Sequence, residues 1–243
     1  MKRVVQVLAI FLILCLSIST VATARAPAMA DVSTEDWFHS YVLSGYRNRY
    51  IRGTSLTNFR FDPNRALTRG EFIAMLGRFH TLLEGPLNFG NRLPAFYDTQ
   101  TRTFYTTYLI WAVEAGIIQG DGAGRFHPNA VMTREQMALV LARYIATYEL
   151  ESHFYEASRD RGQYADADRI SSAARAAAHQ LRNFDIMHGS RGVNDVPGVY
   201  YFRPQDNAYR KEAAAVLGRM LLAIFDDDVV TPPPQAQRPS PIL

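Results

Sequence analysis

The chain has 243 residues, of which 48% are hydrophobic and 20% are charged, so it has enough apolar side chains to bury a core. It carries 26 basic and 23 acidic side chains, and this small surplus gives no reason to expect binding to nucleic acid or to anionic lipid. A single cysteine, Cys15, excludes intrachain disulfides and zinc sites built from several thiolates.

Residues 1–30 read as a targeting segment. Two cations open the chain, an apolar run follows from Val4 to Ile18, and small residues then precede a cleavage site after Ala30 or, as a second candidate, after Ala24. The run is shorter than the roughly 20 residues that a bilayer-spanning helix needs. We therefore expect an exported protein with no membrane span after signal removal. Cleavage after Ala30 removes Cys15 and three cations, which leaves 23 basic and 23 acidic side chains.

One stretch occurs three times in the rest of the chain. Each copy has a Phe-x-Pro sequence, an arginine eight residues after the phenylalanine, and Glu or Gln two residues after that arginine. The copies are Phe61–Glu71, Phe126–Gln136 and Phe202–Glu212. Such an ungapped internal repeat indicates three equivalent structural units.

Each copy predicts a loop that leads into a helix. Proline ends the preceding element, and Thr68-x-x-Glu71 and Thr133-x-x-Gln136 are capping boxes. The third copy has Tyr209 where the capping threonine is expected, a loss that typically costs about 1 kcal/mol. An apolar stripe at helical spacing follows in each copy. The three stripes are Phe72, Leu76, Phe79, Leu83; Met137, Leu141, Tyr144, Tyr148; and Ala213, Leu217, Met220, Ile224.

A second helix precedes each loop. In the second repeat it begins after Asp98 and stops at Gly116, which is a typical C-terminal glycine. Asp31 is the counterpart of Asp98 in the first repeat, and Asp166 or Asp168 is the counterpart in the third. The fold class is therefore predicted as all-α, with three tandem helix-loop-helix repeats. The predicted boundaries are 1–30 for the signal peptide, 31–87, 94–150 and 160–226 for the three repeats, and 227–243 for a Pro-rich tail.

The arginines of the repeated stretch stand in the first turn of a helix, where the macrodipole disfavours a cation by roughly 0.3–1 kcal/mol. They are Arg69, Arg134 and Arg210. One interpretation is an anion site, in which an arginine beside free helix-start amides grips a carboxylate. The other is an arginine paired with a nearby aspartate across a repeat interface. The residues alone leave both interpretations open.

No other chemistry emerges from the sequence. The six histidines lack metal-ligand spacing, no base can be assigned to a nucleophile, and the glycines from Gly120 to Gly124 follow a helix without the Lys-Ser/Thr of a phosphate loop. We therefore predict no catalytic residues, no metal and no cofactor. Most aromatic residues of the upstream helices are expected in the core, with one or two at groove rims where a sugar could stack. They are Trp37, Tyr41, Phe104, Tyr108 and Trp111.

The order Asp, aromatic helix, Gly-Ile-x-x-Gly, Phe-x-Pro and Thr-Arg-x-Glu resembles the S-layer homology module, which usually occurs as three tandem copies. The resemblance covers nearly all of residues 31–226 and is clearest from Ala115 to Pro128. It implies a pseudo-threefold helical bundle with grooves between repeats. It also implies binding to secondary cell-wall polysaccharide linked to peptidoglycan, often through pyruvate-ketal sugars, at the cell surface in association with an S-layer.

The resemblance places a ligand in the grooves beside the three arginines. The ligand-binding residues expected on this basis are Arg69, Arg134, Arg210, Asp31, Asp98, Asp166, Gly53, Gly120, Gly189 and Trp111. The second motif is closest to the family pattern, so Arg134→Ala is expected to weaken binding most. The alternative is an envelope protein scaffold, in which the same fold binds another envelope protein and its glycan grooves are degenerate.

Overall fold

A computed structural model describes the repeat region of the chain. The described residues are 29–54, 59–89, 92, 94–154, 160–189, 196 and 199–225. Residues 1–28 of the predicted signal peptide, the predicted tail 227–243 and much of the insertion from Ser190 to Tyr201 lie outside them.

The described residues form six α-helices, two in each repeat, and no strand. The helices are α1 (His39–Arg47), α2 (Arg69–Glu84), α3 (Thr106–Glu114), α4 (Arg134–Thr147), α5 (Ser172–Asn183) and α6 (Arg210–Phe225). Short 3₁₀ turns cover Leu150–Phe154 and Ala167–Arg169. The predicted all-α class is confirmed. Within the described part of the chain, none of the helices is long and apolar enough to cross a membrane.

The downstream helices α2, α4 and α6 carry the predicted apolar stripes into the core. In each stripe the first three side chains are buried and the fourth is partly exposed. Both predicted capping boxes are present: Thr68 accepts the amide of Glu71, and Thr133 accepts the amide of Gln136. Local sequence therefore defines where α2 and α4 start and which face each buries.

Helices pair between repeats rather than within them. The upstream helix α3 packs against α2 of the preceding repeat, α5 packs against α4, and α1 closes the ring against α6. Glycines allow two of these contacts, because a Cβ at Gly77 would lie 2.3 Å from the ring of Tyr108, and one at Gly218 would lie 2.5 Å from the ring of Tyr41. Each junction between repeats is thus built by two repeats together.

A closed ring of backbone hydrogen bonds joins the three repeats at the centre. The amide of Leu67 donates to Ala208, that of Ala208 donates to Met132, and that of Met132 donates to Leu67, each over 2.8 Å. These residues immediately precede the caps of α2, α6 and α4. The ring therefore sets the three helix starts around one pseudo-threefold axis.

The fold begins before the predicted cleavage site at Ala30. Met29 is 7% exposed and belongs to the core. Phe96 stands at the corresponding position of the second repeat and stacks on Phe126 with 5.8 Å between ring centroids. Cleavage after Ala30 would remove Met29 from the core, whereas cleavage after Ala24 would retain it.

Candidate ligand-binding junctions between repeats

An aspartate shapes the Phe-x-Pro loop of every repeat. Its carboxylate accepts the amide hydrogens of the phenylalanine and of the next residue. The bonds run to Asp31 from Phe61 (2.8 Å) and Asp62 (2.7 Å), to Asp98 from Phe126 (2.8 Å) and His127 (2.7 Å), and to Asp166 from Phe202 (2.6 Å) and Arg203 (2.7 Å). In the third repeat it is therefore Asp166, and not Asp168, that holds the loop.

The middle residue of each Phe-x-Pro loop has a left-handed backbone. The φ angle is 54° at Asp62, 58° at His127 and 55° at Arg203. Non-glycine residues adopt this region at a cost of about 1–3 kcal/mol unless their surroundings hold them there. The paired amide bonds to the aspartate provide that hold, and the loop turns its phenylalanine carbonyl towards the preceding repeat.

The arginine of one repeat reaches that carbonyl in the next repeat. Arg69 Nε donates to the oxygen of Phe126 over 2.8 Å, and its guanidinium lies 4.7 Å from the centroid of the same ring. The other two copies repeat this arrangement and close the ring. They are Arg134 on Phe202 (2.8 Å, 5.6 Å) and Arg210 on Phe61 (2.7 Å, 4.8 Å). We call these contacts the first/second, second/third and third/first junctions.

The helix-start amides are not free, so the predicted anion site built from them is wrong. The amide of Arg69 donates to Ala130 over 3.0 Å, and that of Gly70 donates to Pro128 over 2.8 Å. The same two bonds recur at the starts of α4 and α6. Each helix end is capped by the loop of a neighbouring repeat, a contact between residues distant in sequence. An anion at a junction would have to be held by side chains.

The second/third junction encloses its arginine. Arg134 is 4% exposed, and its Nη2 donates to the carbonyl of His188 over 3.1 Å. Its Nη1 is ion-paired with Glu212 of the third repeat. Every guanidinium nitrogen of Arg134 therefore has a protein acceptor. This is the paired interpretation, with a glutamate in place of the expected aspartate, and it argues against Arg134 as the main ligand residue.

The third/first junction also buries its arginine. Arg210 is 5% exposed, and its Nη2 donates to the carbonyl of Arg52 over 3.0 Å. Burial lowers the pKa of Arg210 to about 10, although the nearby Glu71 carboxylate acts in the opposite direction. Glu71 also forms an ion pair with Arg65 over 2.6 Å. Glu71 is therefore paired with Arg65, and Arg210 is held by backbone carbonyls.

The first/second junction leaves its arginine more open. Arg69 is half-buried, and among the described residues the only hydrogen bond of its side chain runs from Nε to Phe126. Burial lowers the pKa of Arg69, while the charges of Asp98 and Asp121 partly offset that effect. No ion pair to Arg69 forms within the described part of the chain. Of the three arginines, Arg69 is the one whose two amino groups are available to a ligand.

A polar loop of the second repeat flanks Arg69. Asp121 accepts a hydrogen bond from the ring of His127 (2.9 Å) and from the amides of Ala123 (2.8 Å) and Arg125 (3.0 Å). The bond from His127, followed by those amides, lowers the pKa of Asp121 to about 2. Gly120 precedes this loop, and a Cβ there would lie 2.5 Å from the ring of Phe96. The loop keeps this shape because position 120 has no side chain.

The other predicted glycines lie next to arginine acceptors. Gly53 follows Arg52, whose carbonyl binds Arg210, and Gly189 follows His188, whose carbonyl binds Arg134. The predicted arginines, aspartates and glycines therefore come together at the three junctions, each set drawn from two repeats.

Trp111 lies apart from the junctions and requires a correction. It is 4% exposed, its ring stacks on His80 with 4.6 Å between centroids, and its Nε1 donates to the hydroxyl of Tyr148 over 2.8 Å. Both faces and the polar edge serve the core, so Trp111 is a packing residue and not a sugar platform. Of the five predicted aromatic residues, Trp37 and Phe104 are 46% and 57% exposed, which agrees with the expectation of a mostly buried set with one or two exceptions.

Among the described residues, no group of three or more His, Cys, Asp or Glu side chains is arranged to hold a metal ion. The polar features of the junctions are hydrogen-bond donors, acceptors and one open guanidinium. This set suits binding of a polar ligand.

Comparison with known proteins decides the family. The model of the S-layer homology domain matches residues 28–73 and 95–138. The first and second repeats belong to the S-layer homology family. The third repeat lies outside the two matched segments, yet it has the same aspartate-held loop and the same arginine contact.

Relatives of this S-layer homology chain include enzymes and surface-layer proteins. It is 27% identical over 237 residues to an endoglucanase of Bacillus sp. (strain KSM-635), a match that spans 93% of this chain and 23% of the relative. It is 30% identical over 166 residues to an amylopullulanase of Thermoanaerobacterium thermosulfurigenes, which is 68% of this chain and 8% of the relative. It is 32% identical over 120 residues to the surface-layer 125 kDa protein of Lysinibacillus sphaericus, which is 47% of this chain and 10% of the relative.

The chain thus spans less than a quarter of the length of these relatives. S-layer homology domains are in general cell-wall binding modules of S-layer proteins and cell-surface enzymes. This family membership implies association with the cell surface or the cell wall, and it describes a binding module rather than a catalytic one.

Proposed function

We propose that this chain is a non-covalent cell-wall anchor. Its ligand is an anionic secondary cell-wall polysaccharide linked to peptidoglycan, with a pyruvate-ketal carboxylate as the recognised group. The main binding groove is the first/second junction. The observation that carries this proposal is a difference among the arginines: Arg134 is buried and bonded through both amino groups, Arg210 is buried and bonded through Nη2, and Arg69 is half-buried with neither amino group bonded to a described residue.

The arrangement around Arg69 suits a carboxylate. Its Nε bond and its stacking on Phe126 fix the plane of the guanidinium, so little side-chain freedom is lost when a ligand binds. The two amino groups then offer the paired donors that a carboxylate accepts. Both oxygens of Asp98 accept backbone amides, and Asp121 accepts a hydrogen bond from His127. Each of these negative charges therefore already has a donor within the protein.

A sedimentation assay tests the proposal. Purified wall sacculi that carry the secondary polymer should pull down the mature protein, and sacculi from which the polymer has been extracted should not. Arg69→Gln should lower the recovered fraction, equivalent to at least a tenfold loss of affinity, since a charge-assisted hydrogen bond contributes about 1.5–3 kcal/mol. Arg47→Gln is the matched control, because it makes the same charge change at an exposed residue near the end of α1.

Equal recovery on walls with and without the polymer would contradict the glycan proposal. That outcome would favour the second candidate function, an envelope protein scaffold. The specific observations in its favour are the internal ion pair that occupies the second/third junction and the exposed aromatic rings of Trp37 and Phe104. Co-purification with one envelope protein, lost in a Trp37→Ala variant, would then identify the scaffold role.

A further inference from the structure

One residue position differs between the junction whose arginine has amino groups unbonded to the described residues and the other two junctions. It is the third residue of each downstream helix, which is Glu71 in α2, Gln136 in α4 and Glu212 in α6. Because the arginine of each repeat reaches the next repeat, Glu212 faces Arg134, Glu71 faces Arg210, and Gln136 occupies the equivalent place towards Arg69.

At the second/third junction the glutamate at this position does two things: it caps a helix start and it pairs with the junction arginine. One oxygen of Glu212 accepts the amide of Tyr209 over 2.9 Å, which caps the start of α6. The other oxygen is ion-paired with Arg134 Nη1. Glu71 likewise accepts the amide of Thr68 over 3.0 Å while its charge acts on Arg210. An internal carboxylate is therefore ion-paired with the arginine at the second/third junction, whereas at the third/first junction Glu71 pairs with Arg65 and acts on Arg210 through its charge alone.

Gln136 performs the first task and not the second. Its Oε1 accepts the amide of Thr133 over 3.2 Å, and Thr133 in turn accepts the amide of Gln136. The remaining polar atom of the side chain is Nε2, a donor, which stands where Glu212 has its second carboxylate oxygen. Two donors, the guanidinium of Arg69 and the amide of Gln136, are thus assigned to the same junction, where no described carboxylate is ion-paired with Arg69 and the acidic groups whose charges act on it are Asp98 and Asp121.

Within the described part of the chain, Arg69 also lacks the backbone carbonyl bond that the other two arginines make through Nη2. The carbonyls of His188 and Arg52 bind the Nη2 atoms of Arg134 and Arg210, and Gln119 holds the equivalent position at the first/second junction. Among the described residues, no bond from Arg69 to Gln119 forms. Both amino groups of Arg69 are therefore left to an external acceptor.

We propose that Gln136 is a specificity-determining residue. Its amide and the guanidinium of Arg69 together form a carboxylate subsite, and a glutamate at the same position closes the second/third junction by pairing with Arg134. This inference rests on the proposed wall-binding function and assigns the ligand to one of three equivalent junctions.

The variant Gln136→Glu tests the inference. Glutamate is the ordinary residue of this capping box, as in Glu71, so the start of α4 should keep its structure. The new carboxylate should pair with Arg69 as Glu212 pairs with Arg134, and it should also repel an anionic ligand. We expect at least a tenfold loss of affinity for polymer-bearing sacculi.

The matched control is Gln163→Glu, which makes the same chemical change at an exposed residue of the third repeat. It should bind walls like the wild type. If the wild type sediments with polymer-bearing walls and Gln136→Glu sediments equally well, the role of Gln136 is refuted while wall binding stands. If the wild type itself fails to sediment, the proposed function is refuted.

A second measurement examines the subsite without walls. Sodium pyruvate is titrated into the folded protein, and the arginine side-chain ¹⁵Nε resonances are followed by NMR against sodium chloride of equal ionic strength. The Arg69 signal, assigned by its loss in Arg69→Gln, should shift in the wild type and stay unchanged in Gln136→Glu. An Arg69 signal that does not respond to pyruvate in the wild type would overturn the subsite.

Discussion

The first/second and second/third junctions share the same backbone contacts, but among the described residues the arginine is ion-paired inside the protein at only one of them. Both place an arginine over the phenylalanine of the next repeat and bond its Nε to the same carbonyl. At the second/third junction Glu212 neutralises Arg134 inside the protein, whereas the first/second junction has Gln136 and leaves Arg69 open. The two side chains differ in one atom: Glu212 has a second carboxylate oxygen where Gln136 has an amide nitrogen. That difference distinguishes a structural contact from a candidate binding site.

The largest expected difference in stability between the two junctions comes from replacing their arginines one at a time. Arg134→Ala should destabilise the fold by about 3–5 kcal/mol, because it leaves the carboxylate of Glu212 without its buried partner. Arg69→Ala should cost only about 1 kcal/mol, because it removes one neutral-acceptor hydrogen bond and a ring contact. Urea unfolding of both variants measures the difference. Similar losses for the two variants would remove the distinction between the junctions.

The loop aspartates give the next largest contrast. Asp166 is 6% exposed, so Asp166→Ala should leave two buried amides unpaired and cost about 3 kcal/mol. The side chain of Asp98 is 22% exposed, so water can reach the freed amides and Asp98→Ala should cost about 1–2 kcal/mol. Chemical unfolding in parallel tests the order. A larger loss for Asp98→Ala would contradict the greater burial of the second/third junction.

A smaller contrast concerns pH. Burial lowers the pKa of His80, which lies against Trp111 and Tyr148 with the charge of Glu84 acting in the opposite direction, whereas the equivalent positions in α4 and α6 hold Ile145 and Leu221. A histidine kept neutral in the fold costs stability once the unfolded chain binds a proton, so stability should fall as the pH drops below about 6.5.

His80→Phe should reduce that fall, since it keeps an aromatic ring in the stack and removes the titrating group. Thermal unfolding at pH 7.5 and 5.5, compared between wild type and variant, measures the effect as a difference of about 1 kcal/mol or less. The same pH dependence in both proteins would mean that the core between α2, α3 and α4 is not the pH-sensitive region.

The smallest effect tests the third repeat. Tyr209 precedes α6 where the other repeats have a capping threonine, and the tyrosine side chain is partly exposed. Tyr209→Thr should restore the capping hydroxyl and raise the free energy of unfolding by about 0.5–1 kcal/mol. Urea unfolding measures this gain, and Thr133→Ala, which should lose a similar amount, is the reciprocal control. A loss of stability in Tyr209→Thr would mean that packing of the ring matters more than the cap.

Local chemistry made much of this structure predictable. The capping boxes, the buried stripes and the loop aspartates all depend on residues close together along the chain or repeated at fixed spacing, and they lie where the sequence places them. The errors concern contacts between repeats. The helix-start amides were expected to be free because their acceptors, such as Ala130 for Arg69, are about 60 residues away. The sequence alone did not show that Trp111 is buried within α3, whereas Trp37 lies exposed in the turn before α1.

The sequence by itself determined three helical repeats, their caps and their family, because these follow from spacing and from propensities that act within a few residues. Only the tertiary structure decided which arginine is open. Each arginine crosses to the following repeat, so its charge depends on a residue that local sequence does not connect with it. Arg134 meets Glu212, and Arg69 faces the position of Gln136. The motif with the best local match therefore supplies the loop of the candidate groove, and the repeat before it supplies the cation.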